Sequence, residues 1–182
     1  MEKKSNIHQM AIIGVMAAVI CVLGPLSIPI GVVPISFTNL AIYFALYTLG
    51  MKKGTISYII YLLIGFVGIP VFSSFTGGPS KLLGPTGGYL IGFIFMALIA
   101  GFFIDAFLDK WYLCFIGMVL GTAVCYVFGT IWLSYQAHIA MGASLAAGVI
   151  PFIPGDLIKI LIATFVGPQI RKRLIKANLF LA

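Results

Sequence analysis

From end to end the chain repeats one pattern: a long apolar run, a short connection of Gly, Pro or charge, then another apolar run. A helix needs about 20 apolar residues to cross a bilayer, and these runs approach that length. The pattern predicts an all-α integral membrane protein with six transmembrane helices. The spans fall at about His8–Leu23, Ile35–Gly50, Thr55–Ile69, Tyr89–Ile104 and Trp111–Tyr135. A sixth starts near Asp156 and fades into the basic tail Arg171–Lys176. A small-residue stretch between Gln136 and Gly155 fits a short interfacial helix. With 62% of residues hydrophobic and only 8% charged, a soluble domain with one anchor is excluded, and residues 1–182 read as one membrane domain. The start, Met1–Gln9 before an apolar run, resembles a signal peptide. Gly24-Pro25 ends that run in place of a small-residue cleavage site, so the first helix is expected to be retained.

A net charge of +7 would point to nucleic acid in a soluble protein, but its placement here points to a membrane instead. Lys3, Lys4, Lys52, Lys53, Lys110, Arg171, Lys172, Arg173 and Lys176 fall at one end of the expected spans. Only Lys81 lies in a loop at the other end, and Lys159 lies within the last span. The positive-inside rule then puts both termini in the cytoplasm. Eight of the nine prolines gather in the three outer connections, with Pro168 near the inner face. Irregular backbone at membrane depth persists only where it is buried in protein or lines a cavity. An outward-facing pocket with outer loops folded over it follows.

Chemistry concentrates in Pro151–Ile160, PFIPGDLIKI. Asp156 and Lys159, three residues apart, share one helix face, and an intramembrane acid and base are a functional-site hypothesis by default. The plainer reading is an N-capping Asp and a Lys that snorkels to the interface. Asn39 and Tyr43 lie one turn apart on the second span. An amide suits a urea-like or amide ligand edge, or else an interhelical hydrogen bond. In the loop Val71–Gly88, the pair Gly77-Gly78 permits close backbone approach to a ligand, and Phe75 and Tyr89 can supply apolar walls. Lys81 either attracts an anion or sits in water.

Other chemistry finds no support. His8 and His138 fall on opposite sides of the expected membrane, and Ser134 and His138 have no acid near them in sequence. Cys21, Cys114 and Cys125 are isolated, so no metal site, redox centre, cofactor or catalytic residue is expected. Asp105 and Asp109 read as solvated charge. No nucleotide-binding motif is present, so the chain cannot power transport with ATP by itself. Ala11, Gly14 and Ala18 give the first helix a small-residue face that allows close approach of another helix.

Three stretches together carry a resemblance: GPLSIPIGVVPIS from Gly24, GFVGIPVFSSFTGGPSKLLGPTGGYLIG from Gly65, and PFIPGDLIK from Pro151. Over nearly its whole length the chain resembles the BioY family, the biotin-binding S components of energy-coupling-factor (ECF) vitamin transporters. The resemblance implies six helices around an outward vitamin pocket. It also implies docking through the first helix, at Ala11, Gly14 and Ala18, onto a transmembrane coupling subunit driven by two ATPases. For biotin, Asp156 would accept from a ureido N–H, and Lys159 would donate to the ureido carbonyl or pair with Asp156. Asn39 and Tyr43 would lie near the rings and Lys81 would meet the carboxylate, with the two lysines interchangeable in role. A reading from another class is an autonomous facilitator or secondary transporter of a small vitamin-like anion.

Overall fold

In the computed structural model, which describes residues 2–29, 33–177 and 179, helices pack through glycines. A Cβ on Gly92 would sit 3.0 Å from the Cα of Cys125, and one on Gly121 would sit 2.9 Å from the carbonyl oxygen of Met96. Gly88 faces Trp132 and Gly129 faces the Tyr89 ring with no room for a methyl group. All of these join α4 (Gly87–Ala106) to α5 (Trp111–Ala137). Lipid is as apolar as a leucine face, so close backbone approach and van der Waals contact hold such pairs together.

Around this pair stand α1 (Glu2–Leu23), α2 (Thr38–Phe66) and α7 (Ile153–Lys176), with short helices α3 (Pro79–Leu83) and α6 (Met141–Gly148) in the connections. The short helix expected between Gln136 and Gly155 is α6. By length and mean hydropathy α4 (2.2), α5 (2.0) and α7 (1.3) are membrane-spanning helices, and α1 carries a shorter apolar stretch, Gln9–Leu23. The expected second and third spans form one element, α2, broken at Gly50, where φ is +79° and ψ is 175°. The chain folds back there: a Cβ on Gly54 would lie 3.1 Å from the backbone of Ala45. Tyr43, Tyr47, Tyr58 and Tyr61 of α2 are all fully buried, and Phe72 stacks edge-on to Tyr61 at 5.5 Å between centroids.

At the basic end Asp105 is exposed, as expected of a solvated charge, and it also makes tertiary contacts. One carboxylate oxygen receives the Arg171 guanidinium at 2.6 Å and the other accepts the Met51 N–H at 2.8 Å, just past the break in α2. The carboxylate thus joins α2, α4 and α7. Asp109 remains exposed beside Lys172.

The opposite end holds the Gly/Pro loops. Strands β1 (Ser27–Ile28) and β2 (Ile35–Ser36) pair antiparallel, a hairpin the sequence reading took for irregular loop and the start of a helix. Residues 30–32 of that loop, with the side chains of Lys3, Lys4 and His8, lie outside the described residues. Ser74 N–H donates to the Pro25 carbonyl at 3.0 Å, and Trp132 Nε1 donates to the Gly84 carbonyl at 2.9 Å, so the loops are tied to each other and to α5.

Candidate ligand-binding site

The site begins with how α7 starts. Pro154 occupies the first turn, where a missing N–H leaves nothing unsatisfied. Phe152, not Asp156, is the N-cap, and the Asp156 N–H already donates to the Phe152 carbonyl at 2.8 Å. Asp156 is therefore inside the helix with its side chain free for tertiary contacts, and the N-cap reading falls. Nor does Lys159 snorkel: the residue is 7% exposed and Asp156 is 8% exposed.

A buried network forms on this face. Asp156 Oδ1 accepts from Lys159 Nζ at 3.0 Å and from Asn39 Nδ2 at 2.9 Å, while Oδ2 accepts from the Tyr126 hydroxyl at 2.6 Å. Lys159 Nζ donates also to the Ser36 carbonyl at 2.6 Å, so β2 closes the network from the loop side. Each bond has a charged partner, the class that is short and about twice as strong as neutral ones. Burial of an ion pair is tolerable only when its remaining donors and acceptors are met in this way. The amide of Asn39 makes an interhelical hydrogen bond and borders the cavity at once.

Beside the network lies a cavity with about 650 Å³ of space between atoms, its open mouth included. Asp156, Lys159, Asn39 and Tyr126 form its polar wall, while Phe93, Leu90 and Phe152 supply apolar surface. Tyr89 lines it as well, its hydroxyl fixed to the Gly148 carbonyl at 2.9 Å. Ser73 and Thr86 contribute from the Val71–Gly88 loop. One polar patch beside a larger apolar wall suits a ligand with a compact hydrogen-bonding head and an apolar body.

The other expected residues stand further off. Tyr43 is fully buried behind the wall, its hydroxyl 2.6 Å from Thr122 Oγ1. Thr122 in turn donates to the Met118 carbonyl. Phe75, Gly77, Gly78 and Lys81 are on the loop but not among the cavity-lining residues. Phe75 is 67% exposed, whereas Gly77 packs against the Ile69 carbonyl and Gly78 N–H bonds the Gly65 carbonyl at 2.7 Å. Those two glycines fold the loop onto the end of α2. Lys81 is half-buried in α3, and desolvation lowers its pKa below the usual lysine value. On α1, Ala11, Gly14 and Ala18 are exposed, and nothing lies within 4 Å of a Cβ built on Gly14; Ala17 and Ile20 face the core. Sequence reasoning missed Tyr126, although Thr122, Tyr126 and Thr130 recur every four residues on an otherwise apolar helix, a legible polar stripe.

Apolar helices of spanning length, around a cavity walled by a buried acid and base, define an integral membrane protein with a polar-walled pocket. The model of the BioY family matches residues 1–176, and the chain belongs to that family. The Biotin transporter BioY2 of Lactococcus lactis is 32% identical over 176 residues, covering 97% of each chain. The Biotin transporter BioY of Thermotoga maritima is 36% identical over 160 residues, covering 87% of this chain and 93% of that one. The crystal structure of the S-component for biotin from an ECF-type ABC transporter superposes with a TM-score of 0.85 at 35% identity. That match covers 94% of this chain and 95% of the other.

Proposed function

We propose that the chain binds biotin and delivers it for uptake as the substrate-specificity subunit of an ECF transporter. It acts in this reading as one domain of six spans in a prokaryotic plasma membrane. The two halves of α2 count as separate spans, both termini are cytoplasmic, and the pocket opens outward. The carrying observation is the Asp156–Lys159–Asn39 network on the wall of an otherwise apolar cavity. Biotin carries a ureido group with two N–H donors and one carbonyl, an apolar fused ring body and an anionic tail. Asp156 accepts from a ureido N–H and Lys159 donates to the ureido carbonyl. Asn39, Tyr89 and, behind the wall, Tyr43 hold the ring end.

Lys81 is the proposed partner of the carboxylate. It is on the same loop as Ser73 and Thr86, and Lys159 already has two partners, which supports this assignment of the lysines over the reverse. Phe75, Gly77 and Gly78 belong to the cap and shape the mouth. The exposed small-residue face of α1, at Ala11, Gly14 and Ala18, docks the coupling subunit that two ATPases drive. Titrating biotin into the purified chain tests the reading, with Asp156→Ala and Lys159→Ala expected to abolish binding. Unchanged affinity in both variants would overturn the site. Reconstitution alone in liposomes tests the subunit role: concentrative biotin uptake without partners would overturn it.

A further inference from the structure

Every donor around Asp156 is supplied by the protein itself, so an arriving ligand donor has to share the carboxylate or replace something. The three donors are not equally held. Lys159 is anchored also to the Ser36 carbonyl, and Asn39, 3% exposed, accepts the Leu40 N–H on its own oxygen at 3.0 Å. Tyr126 is only half-buried, and its hydroxyl has no partner among the described residues except Asp156 Oδ2. That oxygen has in turn no other donor among them.

Behind Tyr126 is a place for its ring to go. A second, open crevice of almost wholly apolar lining, about 490 Å³ with its open side included, lies between α5 and α7 against Val119, Ala123, Leu157 and Ile160. It shares Thr122, Tyr126 and Asp156 with the ligand cavity, so the tyrosine is part of the partition between the two.

We propose that Tyr126 is a stand-in for the ligand: its hydroxyl, bonded to Asp156 Oδ2 in the conformation described, yields that oxygen to a ligand N–H by swinging its ring into the crevice between α5 and α7. This rests on the ureido reading of Asp156 given above. The placeholder keeps a buried carboxylate satisfied without ligand, and the ligand regains one charge-assisted bond only by breaking another. A competitor of this kind lowers affinity and favours release when the partition closes again.

The sign of one measurement decides it. In Tyr126→Phe the ring remains and the competing hydroxyl is gone, so biotin is expected to bind the purified full chain roughly tenfold tighter, the worth of one hydrogen bond to a charged group. A merely structural hydroxyl, or one that helps hold the ligand, gives unchanged or weaker binding instead, and either result overturns the proposal. Ala123→Phe and, from the opposite wall, Leu157→Phe fill the crevice and are expected to weaken binding about tenfold at unaltered thermal unfolding. Wild-type affinity in both folded crevice variants would also overturn it. A wild-type chain that binds no biotin overturns both this and the ureido reading, whereas wild-type binding without the gain in Tyr126→Phe overturns this one alone.

Discussion

Replacing Asp156 by Asn separates what the buried pair does for stability from what it does for binding. The substitution keeps the shape and removes the charge. Lys159, whose side chain is 9% exposed, then retains the Ser36 carbonyl but loses its counter-ion. Removing one member of a buried ion pair destabilises by about 3–5 kcal/mol, and because Asn still offers an acceptor the lower end, about 3 kcal/mol, applies. Removing both charges, Asp156→Asn with Lys159→Met, leaves no orphaned ion. Exchange of a whole buried pair is often neutral, so stability should return to within about 1 kcal/mol of wild type. Binding should not return. A hydrogen bond to a charged group contributes about 1.5–3 kcal/mol, so biotin should weaken by about 10–100-fold in the single variant and by at least about 100-fold in the double, which loses both bonds of the clamp. Thermal unfolding of the ligand-free protein in detergent reads the first effect, and isothermal calorimetry with biotin reads the second. A double variant as unstable as the single, or one that binds like wild type, would refute the reasoning.

Lys81→Ala should weaken biotin a few-fold at low salt and less at high salt, the signature of an exposed-mouth charge contact, and salt-independent affinity would move the carboxylate elsewhere. Because burial lowers the Lys81 pKa, its positive charge disappears at a lower pH than in a free lysine. Biotin affinity in alkaline titrations should therefore fall earlier than an ordinary lysine would dictate, and Lys81→Ala should lose that fall. Gly14→Leu enters open space and should leave biotin binding intact while uptake by the assembled transporter drops at least tenfold; normal uptake refutes the docking face. Gly50→Ala forces a Cβ into φ +79° and to 3.3 Å from the Asp105 carboxylate, which should lower stability by about 1–3 kcal/mol in the same unfolding assay.

Apolar periodicity and Gly/Pro punctuation located the long helices because both are local properties of the chain. The pairing of Asp156 with Lys159 was equally legible, since a charge pair three residues apart needs no tertiary information. Asn39 and Asp156 are 2.9 Å apart but far separated in sequence, so their bond was not readable. The pairing of Ser27 with Ser36 was hidden likewise, because a two-residue strand has no periodicity to detect. The tertiary partners of the exposed Asp105 were hidden in the same way, because Met51 and Arg171 come from other helices. The glycines of the Val71–Gly88 loop were legible as glycines but not in purpose. Gly77 is small because the backbone of Gly68 and Ile69, just past α2, lies against it, a demand set by the fold.

The two ionic clusters share one helix. From Asp156 to Arg171, α7 runs about 22 Å at about 1.5 Å per residue, and each end is tied to α2 or its break by a carboxylate. Asn39 bonds Asp156 at one end, and Met51 and Arg171 meet on Asp105 at the other. Between them Gly167 lies against the Tyr47 ring with no room for a methyl group. Apolar faces in lipid have no strong reason to prefer one axial register over another, so directional contacts and tight glycine packing have to choose it. With the distant cluster and the Gly167–Tyr47 contact intact, α7 keeps its register when the upper pair is made neutral. That is why the double replacement should restore the fold without restoring the ligand. On the proposed reading the charge at position 156 is accounted for by the ligand, whereas the charge at position 105 is accounted for by the helices it ties together.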